Sequence, residues 1–239
     1  MKLHHKVCIV TLSRYPDLFV GCQENLDEFA PGFDRVLVKD GYLITEEKGW
    51  LVAQGPSGSF SYSANVNLGL SLVDKDADVL LMGDDVRFKE PNTIEKLFAL
   101  AYSEPTLGIL SPKIIGGADN PLLINPPQEE DVVYTERYIP LVCSYLKRRM
   151  LKQVGQLDAE NFSKGWGWDD VDFSRRVRIS GFTLGVTPRV EVIHGVKRRG
   201  SESLIRNEKG DHDAMQKLDD INAHDYEAKW GDRSKENWL

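Results

Sequence analysis

The chain has 239 residues, of which 41% are hydrophobic and 28% charged, and its net charge is −7 at pH 7. This length and composition predict a globular protein with a sizeable core, and the acidic balance argues against non-specific nucleic-acid binding, which needs a basic surface. Its three cysteines, Cys8, Cys22 and Cys143, are far apart and form no CxxC pair, so neither a disulfide framework nor a zinc ribbon is expected.

The first residues lack the long apolar region and the cleavage site of a secretory signal. No apolar run approaches the length of a membrane span. The cysteine pattern fits a reducing compartment, and together with these features it leads us to expect a cytoplasmic protein without a transmembrane segment.

The first part of the chain alternates between short apolar strands and helices. Strands are predicted at 6–12, 35–39 and 78–82, with helices at 16–29 and 62–73 between them. Such alternation predicts an α/β fold in which helices cover a parallel sheet. Ligands of such sheets bind at the carboxyl ends of the strands.

Polar residues stand where these predicted strands end. Thr11 and Arg14 mark the end of the first strand, Asp40 the second, and Asp84 with Asp85 the third. Adjacent carboxylates at the end of a buried strand are costly unless they are solvated or paired with a cation. Mg²⁺ or Mn²⁺ is held by one or two carboxylates plus substrate phosphates. Asp-Gly and Gly-Asp-Asp are also good turn sequences, so both interpretations stay open.

The second part of the chain is less regular. Its predicted elements are a helix at 91–102, strands at 107–110, 131–138, 139–146, 181–186 and 189–193, and a terminal helix at 214–229. Residues 197–213 are charged and poor in apolar side chains, which predicts a mobile loop. One hypothesis is that this loop folds over a bound diphosphate, with Lys197, Arg198, Arg199 or Arg206 reaching its oxygens; the alternative, a merely solvated loop, stays open.

The segment Lys164–Asp172 concentrates two tryptophans, two glycines and three carboxylates in nine residues. Its glycines allow a close approach of the backbone, its indoles offer flat apolar faces, and its carboxylates bind cations or protons. Three arginines follow, which predicts a helix that begins at the acidic cluster, where the macrodipole favours negative charge. Such a helix start also occurs without a ligand.

His194 ends the last predicted strand. In a parallel-type sheet His194, Asp84 with Asp85, and the Asp169–Asp170 pair would converge on one edge. Two carboxylates plus an imidazole make a plausible divalent-metal set, in which the imidazole favours Mn²⁺ over Mg²⁺. A single histidine after a strand more often has a structural hydrogen-bonding role, so the residues alone leave this open.

In order and spacing, these segments resemble the GT-A fold glycosyltransferases, especially the rhamnosyltransferase-like enzymes of family 2. The resemblance rests on Val7–Arg14, Val36–Gly41, Ser63–Gly69, Val79–Val86, Gly165–Asp172 and Val192–His194. Gly165–Asp170 is also similar to the Gly-Trp-Gly-Gly-Glu-Asp motif of β-1,4-galactosyltransferases, and Tyr226–Gly231 to the Lys-Trp-Gly end of many family 2 chains.

The resemblance implies a fold class and a domain division. The fold would be α/β, of the GT-A (Rossmann-like) type, with a mixed, mostly parallel central sheet flanked by helices in a single domain. A catalytic domain would span 1–196, with a nucleotide-binding half to about residue 90 and an acceptor-binding half at 91–196. Residues 197–239 would form the mobile loop and a C-terminal helix packed on the same domain.

The resemblance also implies roles for single residues. Donor binding is expected of Thr11, Arg14, Asp40, Asn65, Asp84 and Asp85, acceptor binding of Trp166, Trp168 and Asp169, and metal binding of Asp85 and His194. Asp170 is the implied base of an inverting transfer. The donor would be a UDP-, GDP- or dTDP-sugar, the acceptor a glycan or glycoconjugate hydroxyl, and the cofactor Mn²⁺ or Mg²⁺.

Two departures from the family pattern leave metal dependence open: Gly83 replaces the first acid of a strict DxD motif, and Asp169 replaces the usual Glu. A nucleotidyltransferase of similar fold is an alternative, but the Gly-rich basic loop of such enzymes is absent after the first strand. A non-catalytic glycan-binding relative is another. It would tolerate the loss of Asp85, Asp170 and His194, yet all three are present.

Overall fold

The computed structural model describes most of the chain, and its side chains are described except at 212–216. The described residues are 6–42, 47–55, 60–116, 118, 120–165, 167–195 and 212–234. Trp166 and residues 196–211 lie outside them. The predictions of an acceptor-binding Trp166 and of a loop over the diphosphate therefore stay predictions.

The described residues form nine strands in one sheet and seven helices. The strands are β1 Val7–Ser13, β2 Asp34–Lys39, β3 Leu51–Gln54, β4 Asp78–Gly83, β5 Arg87–Phe88, β6 Leu107–Ile115, β7 Val133–Tyr134, β8 Cys143–Leu146 and β9 Thr183–Ile193. The helices are α1 Pro16–Phe29, α2 Tyr62–Leu72, α3 Thr93–Ser103, α4 Pro121–Ile124, α5 Arg148–Val154, α6 Asp169–Ile179 and α7 His212–Trp230.

The strand order is β3-β2-β1-β4-β8-β6-β9-β5, and β7 also pairs with β9. Strands β3, β2, β1 and β4 are parallel neighbours. Strand β8 is antiparallel to both β4 and β6, and β6 is parallel to β9. Six of the nine strands therefore run in one direction, against β5, β7 and β8. The expected α/β fold of the GT-A (Rossmann-like) type, with a mixed and mostly parallel sheet, is confirmed.

Helices on both faces explain why the central strands are continuously apolar. On one face, α1 buries Leu18, Phe19, Cys22 and Leu26. On the other, α2 approaches so closely that a Cβ at Gly69 would lie 2.6 Å from Val10 Cγ1. Within the described part of the chain, no helix is both long and apolar enough to cross a membrane.

The structure corrects several predicted elements in the second part of the chain. The strands expected at 181–186 and 189–193 are one strand, β9, whose pairing with β6 jumps from Thr187 to Glu191. Pro188 lies in this bulge, where its missing N–H costs no ladder hydrogen bond. The long strands expected at 131–138 and 139–146 are shortened to β7 and β8. Side chains replace the ladder between them, since Asn120 donates to the Tyr138 carbonyl and Ser174 Oγ accepts from Ile139 N–H.

Candidate active site

The carboxyl ends of β1 and β4 are joined by side chains. Ser13 Oγ donates to Asp84 Oδ2 at 2.7 Å and lies 2.8 Å from the Tyr42 hydroxyl. Asp84 N–H donates to the Leu12 carbonyl at 3.2 Å. Burial raises the pKa of Asp84 to about 7, although the Ser13 hydrogen bond opposes the rise. One oxygen of the Asp84 carboxylate is thus hydrogen-bonded to β1.

The ends of β2 and β1 are joined through Asp40, and α2 orients its side chain. Asp40 N–H donates to the Ser13 carbonyl at 2.9 Å, and Asn65 Nδ2 donates to Asp40 Oδ2 at 2.7 Å. Asn65 is 1% exposed and Gly55 leaves the space it occupies, since a Cβ there would lie 2.5 Å from Asn65 Oδ1. Asn65 is thus enclosed and orients the Asp40 carboxylate, and its donor-binding role stays a prediction.

Two further predicted donor residues differ in their access to a ligand. Thr11 is fully buried, because β1 continues to Ser13 and places Thr11 two residues inside the sheet. Arg14 is partly exposed, with its guanidinium 5.2 Å from the Phe60 ring centre. Its side chain also lies beside Gly41, at 3.5 Å from a Cβ built there. Ser13 was missed as an edge residue because the predicted strand ended one residue earlier.

Asp85 and His194 meet beyond the ends of their strands. Arg87 of β5 pairs with Ile193 of β9 in an antiparallel register, which brings the preceding and following residues together. His194 Nε2 lies 3.5 Å from Asp85 Oδ2. Two ligand atoms at about 2.1 Å from one octahedral Mg²⁺ are about 3.0 Å apart, so this pair fits a single ion after a small adjustment.

Gly83, which stands where a strict DxD motif has its first acid, lies beside the Asp85 side chain. A Cβ at Gly83 would lie 2.8 Å from Asp85 Oδ1, so a side chain at position 83 would require the Asp85 carboxylate to move. Among the described residues, no group of three or more His, Cys, Asp or Glu side chains is arranged to hold a metal. A cation held by Asp85 and His194 would therefore need oxygen ligands from a bound phosphate and water.

The acidic motif is attached to the first turn of α2. Gly165 N–H donates to the Phe60 carbonyl at 2.7 Å, and Tyr62 N–H donates to the Gly165 carbonyl at 2.8 Å. Ser63 Oγ donates to Asp169 Oδ2 at 3.0 Å. Ser63 and Asn65 lie on the same helix, so α2 holds Asp169 as well as Asp40.

The two adjacent carboxylates of α6 have different surroundings. Asp169 is 2% exposed and accepts hydrogen bonds from the N–H groups of Gly167 and Asp170 in addition to the Ser63 hydroxyl. Burial raises the pKa of Asp169 to about 6, and these hydrogen bonds oppose the rise. Asp170 is partly exposed at the N-terminus of α6. An incoming molecule can therefore reach Asp170, whereas Asp169 is enclosed.

Trp168 packs against the C-terminal helix. It has a left-handed backbone conformation, with φ of 65°, and is 7% exposed. Its ring centre lies 5.1 Å from that of Tyr226, and its Nε1–H donates to Asp219 Oδ1 at 3.1 Å. One face of the indole is thus covered by α7, which is the core-packing alternative for this residue. Its acceptor-binding role stays a prediction.

Asp172, the third carboxylate of the motif, holds the end of α7. It is fully buried and accepts from Trp230 Nε1 at 2.8 Å and from Lys229 Nζ at 2.7 Å. Arg176 Nε donates to its second oxygen at 2.8 Å. We call this set of four residues the Asp172 latch. The sequence shows both partners, the acidic motif and the Lys-Trp-Gly end, but not that they meet.

Comparisons with known proteins support the fold. No protein-family model and no curated protein sequence matches the chain. Among solved structures, the crystal structure of S. aureus TarS is similar with a TM-score of 0.58 and 14% sequence identity over 92% of this chain. The chain spans 42% of the length of TarS. TarS has a GT-A-type glycosyltransferase fold, and at this identity the likeness concerns the fold alone.

Proposed function

We propose that this chain is an inverting glycosyltransferase that moves a sugar from a nucleotide-diphospho-sugar to a hydroxyl of a glycan or glycoconjugate. One observation carries the proposal: α2 holds Asp40 through Asn65 and Asp169 through Ser63. A single helix therefore links the strand ends where a donor nucleotide is expected to the motif that is expected to supply the base. The fold shared with TarS supports the same function.

The donor nucleotide is proposed to lie across the ends of β1, β2 and β4. Asp40 and Gly41 would face the base, and Asp84 the ribose. Gly41 has φ of 92°, which turns the chain sharply after Asp40. Arg14 beside Gly41 supplies a cation near the expected phosphates, and guanidinium groups bind phosphate oxygens well.

Asp85 and His194 would hold Mn²⁺ or Mg²⁺, and their carboxylate and imidazole fit such an ion. When bound, a divalent cation neutralises the negative charge that develops on a diphosphate leaving group. UDP-, GDP- and dTDP-sugars share this diphosphate, so the metal pair is compatible with each of them.

Asp170 is proposed to take the proton of the acceptor hydroxyl. Asp170 lies in the first turn of α6, where the helix macrodipole attracts negative charge. The acceptor oxygen attacks the anomeric carbon opposite the leaving group, so the new glycosidic bond forms as the bond to the diphosphate breaks. The hydroxyl proton passes to Asp170, and the anomeric configuration is inverted. Asp169, which is enclosed, would orient the helix start beneath the acceptor.

A donor screen tests the proposal. The chain is incubated with UDP-, GDP- and dTDP-sugars and Mn²⁺, and release of the nucleoside diphosphate is measured. We expect release with donors of one nucleotide, and product with the opposite anomeric configuration by nuclear magnetic resonance. If no nucleoside diphosphate raises the melting temperature of the chain with Mn²⁺ present, the glycosyltransferase proposal fails. A product that keeps the donor configuration would instead reject the inverting mechanism.

A further inference from the structure

Gly116 follows the last residue of β6 and lies against the backbone of His194. Its φ is 115°, a conformation that L side chains rarely adopt. A Cβ built at Gly116 would overlap the carbonyl oxygen of His194 and lie 3.2 Å from its carbonyl carbon. The position therefore requires glycine both for its backbone conformation and for the space beside it.

The contact forms one side of a clamp around His194. His194 N–H donates to the Ile115 carbonyl at 2.8 Å, immediately before Gly116. On the other side, β5 pairs with the preceding residue of β9 through Arg87 and Ile193. The backbone that carries the imidazole is thus held between the end of β6 and β5, and β5 begins two residues after Asp85.

The register of this part of β9 is set separately from the rest of the strand. The bulge between Thr187 and Glu191 interrupts the pairing with β6. Beyond it, Glu191 accepts from Lys113 Nζ at 2.8 Å and from Lys89 Nζ at 2.5 Å, one lysine on each flanking segment. Bulges beside functional sites re-aim side chains, and here the four residues after the bulge end at His194.

We infer that Gly116 is a positioning residue for His194 and thereby for the divalent cation at Asp85 and His194. The inference rests on the proposed function. A methyl group at position 116 displaces the His194 backbone, and Nε2 then leaves its 3.5 Å position relative to Asp85 Oδ2. Metal–ligand distances in well-formed sites lie within about 0.2 Å of their standard values, so moving His194 further from Asp85 should lower cation affinity even though no ligand is removed.

Gly195, the residue that follows His194, provides a control. It also has a positive φ, 75°, but a Cβ built there meets nothing within 4 Å. Gly195→Ala therefore places an alanine at a positive φ without the overlap. An effect of Gly116→Ala well beyond that of Gly195→Ala supports the contact with His194.

The experiment measures, by calorimetry, how much Mn²⁺ strengthens the binding of UDP, GDP and dTDP to the full chain. We expect Gly116→Ala to reduce the strengthening by about 10- to 100-fold, as loss of groups that orient metal ligands does. Gly195→Ala should change it by less than about threefold. With EDTA present, the nucleotide affinities of both variants should equal that of the parent chain. In a His194→Ala background, Gly116→Ala should have no additional effect.

Two results would overturn the inference. One is that Mn²⁺ strengthens nucleotide binding by folded Gly116→Ala as much as by the parent chain. The other is that Gly116→Ala reduces the Mn²⁺ effect by the same factor in the His194→Ala background as in the parent chain. Should Gly116→Ala fail to fold, Ile115→Gly loosens the same clamp without added volume and should weaken the Mn²⁺ effect by about threefold. An unchanged Mn²⁺ effect in Ile115→Gly would then reject the inference. A parent chain that binds nucleotide equally with and without Mn²⁺ rejects the proposed metal site itself, which is a separate failure.

Discussion

The two sides of the candidate site are supported in different ways. On the donor side, Ser13, Asp40 and Asp84 come from the ends of neighbouring strands, and each is bound by the adjacent strand or by α2. On the base side, α6 lies between two helices that are distant in sequence, with Ser63 of α2 bound to Asp169 and Trp230 of α7 bound to Asp172. The donor side thus follows from forming the sheet, whereas the base side also requires α7 to dock.

Helix geometry explains why the three aspartates at the start of α6 have different surroundings. Residues on an α-helix are about 100° apart, so positions 169 and 172 are about 60° apart, while position 170 is about 100° from 169 on the other side. Asp169 and Asp172 therefore face inward to α2 and α7, and Asp170 remains at the surface. Asp170 is thus the accessible carboxylate of the motif, as the proposed base must be, and its neighbours hold the helix in place.

The largest expected effect is on catalysis at the base side. Asp170→Asn keeps the size of the side chain and removes the base, so the turnover rate should fall by about 10²- to 10⁴-fold. Donor affinity should stay within about threefold, because the donor side does not depend on this carboxylate. Steady-state kinetics and donor titration check both expectations.

Asp169→Asn is the matched control for this substitution and should lower the turnover rate by a smaller factor. Near-normal turnover in Asp170→Asn, combined with loss of turnover in Asp169→Asn, would show that the enclosed residue, Asp169, is the base. If neither substitution mattered, the α6 motif would not be the catalytic centre.

The next prediction tests whether the base side needs the Asp172 latch. Asp172→Asn leaves Lys229 and Arg176 without their buried anion, and removing one partner of such a pair typically costs about 3 kcal/mol or more. Urea denaturation should show the loss in the free energy of unfolding. Asp76→Asn, which removes an exposed partner of Lys152, should change it by less than about 1 kcal/mol. Equal effects of the two substitutions would show that the Asp172 latch contributes no more to the free energy of unfolding than an exposed ion pair.

A third prediction concerns the metal pair on the donor side. Because phosphates complete the ligand set, EDTA should weaken nucleoside-diphosphate binding by about 10- to 100-fold, and His194→Ala should do the same in the presence of Mn²⁺. His224→Ala, on the exposed side of α7, is a control that should leave binding unchanged. Equal nucleotide affinity with and without EDTA would show that no metal ion takes part in nucleotide binding.

The last prediction concerns how the contribution of Asp169 to stability depends on pH. Its pKa is about 6 in the folded chain and about 4 when unfolded. The folded state therefore binds this proton more tightly, so the stabilising contribution is full below pH 4 and is lost as the pH rises to 6. The difference in unfolding free energy between the parent chain and Asp169→Asn should shift against the parent by on the order of 2 kcal/mol over this range. A difference that does not vary with pH would contradict the enclosed environment of Asp169.

Much of the donor side was predictable because it follows local patterns. Apolar runs ending in Asp40 and in Asp84–Asp85 indicated buried parallel strands, and parallel strands end at one edge of a sheet. The strand limits were less predictable, because Ser13 extends β1 beyond its apolar run and Pro188 lies inside β9 rather than between two strands. A proline is a reasonable signal for a strand boundary, and only the register shown by the partner strand reveals a bulge.

The sequence by itself determined the alternation of strands and helices, the acidic start of α6 and the carboxylates and histidine at the strand ends, because these depend on residue periodicity and helix-end electrostatics. Tertiary structure decided which of three neighbouring aspartates is enclosed, latched or accessible, that Trp168 packs against α7, and that Gly83 and Gly116 make room for Asp85 and His194. These outcomes depend on contacts between residues two to 106 positions apart, and no local pattern encodes which surfaces meet when the helices pack on the sheet.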